Sequence, residues 1–88
     1  MANFFIIAKT VRKFGDNTTF DRQVREFDTL EGINAQMLED YGAYKGSSCY
    51  KIETAVSWLP QCTLTYFKAV SECGHSSVIH EAFLVKVG

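Results

Sequence analysis

Eighty-eight residues, 47% hydrophobic and 14% aromatic, describe one small domain (residues 1–88) with a limited core; a chain this short hides only about 60–65% of its unfolded surface. A net charge of −1 and a pI near 6.1 argue against both a strongly basic nucleic-acid protein and a strongly acidic nucleic-acid mimic. Cys49, Cys62 and Cys73 have no disulfide-framework spacing, Phe4 to Ala8 is too short for a signal peptide's apolar region, and no run approaches the roughly 20 residues that span a bilayer. A reducing cytoplasm and no membrane partner are therefore expected.

Asn3 to Phe14 reads as a first strand, continuously apolar from Phe4 to Ala8, so both faces are expected to be covered there. Gly15-Asp16-Asn17-Thr18 has the composition of a hairpin loop. Thr18 to Phe27 returns as a half-exposed second strand. Phe20 and Val24 share one of its faces with Arg22 between them, and Asp21, Gln23 and Arg25 share the other.

Phe27 to Gly46 holds the helix. Asp28 with Glu31 three residues on forms a D-x-x-E variant of the capping box, and Glu31 adds negative charge near the helix start. Leu30, Ile33, Met37 and Tyr41 recur at helical spacing with Leu38 beside them, an apolar stripe for the core. Gly42 is one plausible stop and Gly46 the other, with Lys45 near the negative end; Gly32 in the first turn costs roughly 1 kcal/mol against alanine.

Cys49 to Leu59 shows the cleanest period of two, with Tyr50, Ile52, Thr54, Val56 and Trp58 on one face. Pro60-Gln61 interrupts it. Cys62 to Glu72 is ambiguous: Leu64, Phe67, Val70 and Cys73 suit a helix, whereas Thr63, Thr65, Tyr66 and Phe67 favour a strand, which is the reading preferred. Cys73 to Ser77 reads as a loop and Val78 to Val87 as the last strand. The fold class expected is α+β, in the order β-β-α-β-β-β. A mainly antiparallel sheet of about five strands would carry one helix on one face. One helix covers only one face, yet the first and last strands are apolar on both sides. Curling of the sheet, a second copy of the chain or a target protein would have to cover the other.

Charge is unevenly distributed. Lys9, Arg12, Lys13, Arg22 and Arg25 gather on the hairpin, while Glu26, Asp28, Glu31, Glu39 and Asp40 run through the helix region unaccompanied. Solvated faces explain this; so does steering toward a partner. Cys62, Cys73, His75 and His80 are zinc-type ligands, but the spacing C-x10-C-x-H-x4-H lacks a close pair, and small buried cysteines with surface or hydrogen-bonded histidines are the simpler reading. Cys73 with His75 as nucleophile and base lacks any oxyanion device. Glu39 and Asp40 diverge by about 100° on a helix, and Glu53 and Glu81 are placed near one another only by an assumed sheet. No phosphate loop and no cofactor motif is present.

Phe5-Ile6-Ile7-Ala8-Lys9, Phe27-Asp28-Thr29-Leu30-Glu31 and Cys49-Tyr50-Lys51-Ile52-Glu53-Thr54 resemble the first strand, the strand-to-helix junction and the post-helix strand of small phage-encoded inhibitors of the anti-CRISPR type. The resemblance covers roughly residues 4–58. It implies inhibition by occupying a surface on a host complex, with no functional residue carried over. The function expected is a non-enzymatic protein-interaction module, with Lys9, Arg12, Lys13, Phe14, Arg22, Arg25, Tyr44 and Tyr66 as partner-binding residues and a homodimer through the uncovered face as a further possibility. The alternative is a small single-stranded nucleic-acid-binding domain using the same basic hairpin.

Overall fold

The computed structural model describes residues 3–87. Five strands form one antiparallel sheet: β1 (Phe4–Phe14), β2 (Asn17–Phe27), β3 (Lys51–Val56), β4 (Tyr66–Cys73) and β5 (Ser76–Lys86). A single helix, α1 (Leu30–Lys45), falls between β2 and β3 in the chain. The spatial order is β2-β1-β5-β4-β3, so strands far apart in sequence meet at the centre, where Phe4 pairs with Lys86 and Phe14 with Ser76. The β-β-α-β-β-β order and the α+β class agree with the sequence pattern, and Cys62 to Glu72 resolves in favour of strand, beginning at Tyr66 rather than Cys62.

Both hairpins turn in two residues. Gly15 (φ 59°) and Gly74 (φ 58°) each take the first central position and are followed by Asp16 and His75, which stay at negative φ. A left-handed first residue is the II′ pattern, which matches the twist of the strands and suits glycine. The loops expected over Gly15–Thr18 and Cys73–Ser77 are therefore shorter, because Asn17 and Ser76 already pair in the ladders.

The helix starts one residue later than the D-x-x-E reading placed it. Asp28 still follows β2, where Phe27 carbonyl accepts from Asn3, and the cap is Thr29 in an extended conformation. Its hydroxyl accepts from the Gly32 amide at 3.1 Å. A Cβ on Gly32 would stand 3.0 Å from that hydroxyl, which gives the glycine a local reason. The helix passes through Gly42 and stops at Gly46, whose amide donates to Gly42 carbonyl at 2.9 Å.

Ile33 and Met37 are fully buried and, with Leu30, Tyr41 and Tyr44, close over Ile6, Phe67, Ala82 and Leu84. Leu38, expected near this stripe, points outward. Cys62 and Leu64 complete the core from the β3–β4 connection, and burial raises the Cys62 thiol pKa. That connection is stitched by side chains. Ser57 hydroxyl donates to Cys62 carbonyl at 2.7 Å, the Thr63 amide donates to Asn34 Oδ1 at 3.1 Å, and buried Thr65 donates its hydroxyl to Val56 carbonyl while accepting from the Trp58 amide.

The period of two expected over Cys49–Leu59 breaks at Glu53. A bulge sets two residues opposite Lys68, so Ile52 faces the helix while Thr54 joins the opposite face. Trp58 lies beyond the strand and is 54% exposed. No helix among the described residues is long and apolar enough to cross a membrane.

Candidate functional site

Ile6, Leu84, Ala82, Phe67 and Ala69 are buried beneath the helix. Side chains alternate along a strand, so their sequence neighbours point to the other side of the sheet. Five strands side by side convert that alternation into rows that run across the open face. One row is Val24, Ile7, Phe83, Tyr66 and Val56, each opposite the next. Two residues along each strand lies a charged row: Arg22, Lys9, Glu81 and Lys68, with Glu53 at the β3 bulge beyond them. The third row is Phe20, Val11, Ile79 and Val70, ending at Lys51. Two apolar rows thus flank one charged row that begins with two cations and then alternates in sign.

Local contacts hold the charged row in place. Lys9 Nζ stands 5.3 Å from the centre of the Phe83 ring, within cation–π range. Lys68 Nζ lies 3.7 Å from Glu53 Oε2. Tyr66 donates its hydroxyl to Glu81 Oε2 at 2.7 Å. Burial, reinforced by that hydrogen bond and the adjacent carboxylates, pushes the Tyr66 phenol up to about 12, so it remains a donor at neutral pH. Glu53 and Glu81 do share a face, but Lys68 stands between their strands, so they form no carboxylate pair.

The β2 flank of this face is the least covered. Phe20 is 63% exposed and Val24 50%. Phe20, Ile7, Phe83 and Val85 line a shallow cleft of about 410 Å³ with Lys9 and Arg22 at its rim.

Four of the residues expected to bind a partner, Lys9, Lys13, Arg22 and Tyr66, share the open face, and of these Lys9 and Arg22 reach the cleft. The other four do not. Arg12 and Phe14 point from the opposite face of the hairpin, with Phe14 71% exposed at its tip. Arg25 forms an ion pair with Asp40 of the helix, and Gln36 donates to the same carboxylate at 3.0 Å. This link joins the basic hairpin to the acidic helix, so the two are not separate poles. Tyr44 is no exposed anchor. It packs edge-on to Tyr50 and stacks on His80 with ring centres 4.5 Å apart, and burial raises its pKa.

His80 shares a hydrogen bond with Thr10 Oγ1 at 3.0 Å on the covered face, and burial lowers its pKa. His75 sits in the β4–β5 turn and Cys73 at the exposed end of β4, while Cys62 lies in the core. The zinc-type set therefore does not converge on one point.

Val11, Ile79 and Phe83 escaped individual notice in the sequence. Apolar residues on both sides of the first and last strands were the signal for them, but only the strand register aligns them. Matched against known protein families, curated proteins and solved structures, the chain finds no counterpart.

Proposed function

We propose that this chain is a non-enzymatic protein-interaction module that docks the β2 flank of its open face on the surface of another protein. The observation carrying this reading is the pair of apolar rows, unprotected at Phe20 and Val24, with Arg22 between them. Apolar and aromatic anchors beside arginine are the composition of energetically important interface centres. The resemblance of residues 4–58 to small phage-encoded inhibitors supports a finer form, in which the module occupies a surface of a host defence complex in the cytoplasm. A single nucleic-acid strand fits the face less well. Lys9, Lys13, Arg22, Lys51 and Lys68 are offset there by Glu26, Glu53, Glu72 and Glu81, which weakens attraction for a phosphate backbone.

The test is a Phe20→Asp, Arg22→Glu double variant. It is expected to keep its circular dichroism spectrum and melting temperature, both side chains being exposed, and to lose the protein partner captured by the wild type from the source cells. A Glu39→Lys variant on the helix is expected to retain that partner. Retention by the double variant, or loss by both, overturns the reading.

A further inference from the structure

The charged row carries more information than exposure alone, because its order across the sheet is asymmetric: Arg22, Lys9, Glu81, Lys68, Glu53. Two copies packed open face to open face about a two-fold axis parallel to the strands bring this row over its own reversed image. Where the axis lies decides which charges meet. Over β5, Glu81 meets Glu81 and Lys9 meets Lys68. Between β1 and β5, Lys9 meets Glu81 but Arg22 meets Lys68. Over β4, Lys68 meets itself; over β1, Lys9 does. An axis laid along the charged row stacks every charge on its own copy. Between β4 and β5, Glu81 of each copy meets Lys68 of the other and Lys9 of each meets Glu53 of the other, so every facing pair is of opposite sign. Like charges brought together in a closed interface are strongly unfavourable, so the row discriminates among these placements.

The row of Val24 to Val56 agrees with the same placement, with Phe83 over Tyr66 and Ile7 over Val56; in the other, Ile79 lies over Val70 and Val11 over the aliphatic stem of Lys51. Packed sheets cross at about 30°, which displaces the outer charge pairs by about 4 Å along the strands, within the reach of lysine and glutamate side chains. Four overlapped strands at about 4.8 Å spacing, limited to about 20 Å of length by β3 and about 27 Å by β4, present roughly 450 Å² of flat projection per copy before side-chain relief is counted, somewhat over half the ~800 Å² per partner of a standard interface.

We infer that the chain forms a two-fold homodimer through β1, β5, β4 and β3 of its open face, in the register set by Glu81 against Lys68 and Lys9 against Glu53. The product is a helix-sheet-sheet-helix sandwich. Strand β2 overhangs at both ends, leaving Phe20, Val24 and Arg22 of each copy free for the partner proposed above. The inference rests on the open face being an interaction surface, but it uses a different part of it.

Lys9 and Glu53 decide the matter, because they lie on β1 and β3 with two strands between them and have no contact within one copy. Sedimentation equilibrium over a concentration series is expected to show a monomer–dimer equilibrium for the wild type. Lys9→Glu alone and Glu53→Lys alone should each weaken dimerisation about tenfold or more, since each sets like charges opposite one another twice. Mixing the two variants should restore dimers at wild-type strength, because both facing pairs of the mixed dimer are again opposite in sign. A wild type that stays monomeric overturns the inference, as does a dimer indifferent to either substitution or a mixture that fails to recover. The Phe20→Asp, Arg22→Glu variant separates the two proposals. It should dimerise as the wild type does while losing the partner; a monomeric wild type whose partner binding that variant abolishes would sink the dimer and leave the interaction reading standing.

Discussion

On the covered face Ile6, Phe67 and Leu84 lie at or near zero exposure beneath Ile33 and Met37; one position along each strand, Ile7, Tyr66 and Phe83 point the other way and remain half-buried. Their hydrophobicity is similar, so these apolar residues alone do not choose which face the helix takes. Ala8, Ala55, Ala69 and Ala82 all lie on the helix side, and the small side chains of buried Ala69 and Ala82 let the helix approach the sheet. The open side carries Phe5, Ile7, Phe83, Val85 and Tyr66 and no strand alanine. A row of charge divides it, and an intramolecular helix would have had to bury that row. Burying charged groups is costly even where they are paired, as Lys68 with Glu53 and Glu81 with Tyr66 are on this side.

The contrast is sharpest in paired truncations. Phe67→Ala should destabilise the fold by about 3–5 kcal/mol, because the ring is fully buried among Tyr41, Tyr44 and His80 and the site cannot collapse around the void. Urea denaturation measures it; a cost near that of an exposed site would remove Phe67 from the core. Phe83→Ala should cost only about 1–2 kcal/mol at low protein concentration, as the ring is half-buried. If the open face closes in a dimer, the cost should grow with concentration, since the lost contact then includes the second copy. A cost equal to that of Phe67 at high dilution would mean that the two faces are not distinct.

Glycine positions test the helix that makes the difference. Gly42→Ala meets nothing within 4 Å and should stabilise the fold by about 0.5–1 kcal/mol through helix propensity. Gly32→Ala should forfeit that gain, because its new methyl crowds the Thr29 hydroxyl that caps the helix. Thermal melts of the two variants should shift apart, and equal upward shifts would dismiss the capping argument. The smallest effect is in pH. His80 is held neutral chiefly by burial, with its folded pKa below the ordinary 6.5. The unfolded chain then binds more protons, so the contribution of His80 is present above pH 6.5 and is lost as pH falls through the folded value. His80→Gln should flatten that part of the stability profile; an unchanged slope would point to other groups.

The order of elements was legible because it depends on local signals: the Leu30–Ile33–Met37–Tyr41 stripe, the turn glycines Gly15 and Gly74, and β-branched or aromatic runs. Boundaries within two or three residues were not, since Asp28 and Thr29 are both good caps and only the end of β2 at Phe27 decides between them. The bulge at Glu53 was invisible, as Thr54 and Val56 fit the alternating pattern until pairing with Lys68 and Tyr66 moves them to the other face. The candidate site was half legible. Basic residues of the hairpin stand out in composition, but Lys9, Arg22, Glu53, Lys68 and Glu81 are scattered along the chain and become one row only through non-local register. Tyr44 misled for a related reason: an aromatic late in a helix looks exposed until His80 arrives from β5 to stack on it.

Strand order also has a kinetic consequence. The pairing at the centre of the sheet joins Phe4 to Lys86, so the nascent chain cannot complete its middle until the final strand has been made. At about 5–20 residues per second, the β1–β2 hairpin waits for seconds with the flank that β5 will occupy unpaired. Loop closure on that scale makes folding slow for so small a domain. During the wait Phe5, Ile7 and Val11 lie along a strand with one open edge, the kind of edge that invites wrong pairing until β5 fills it.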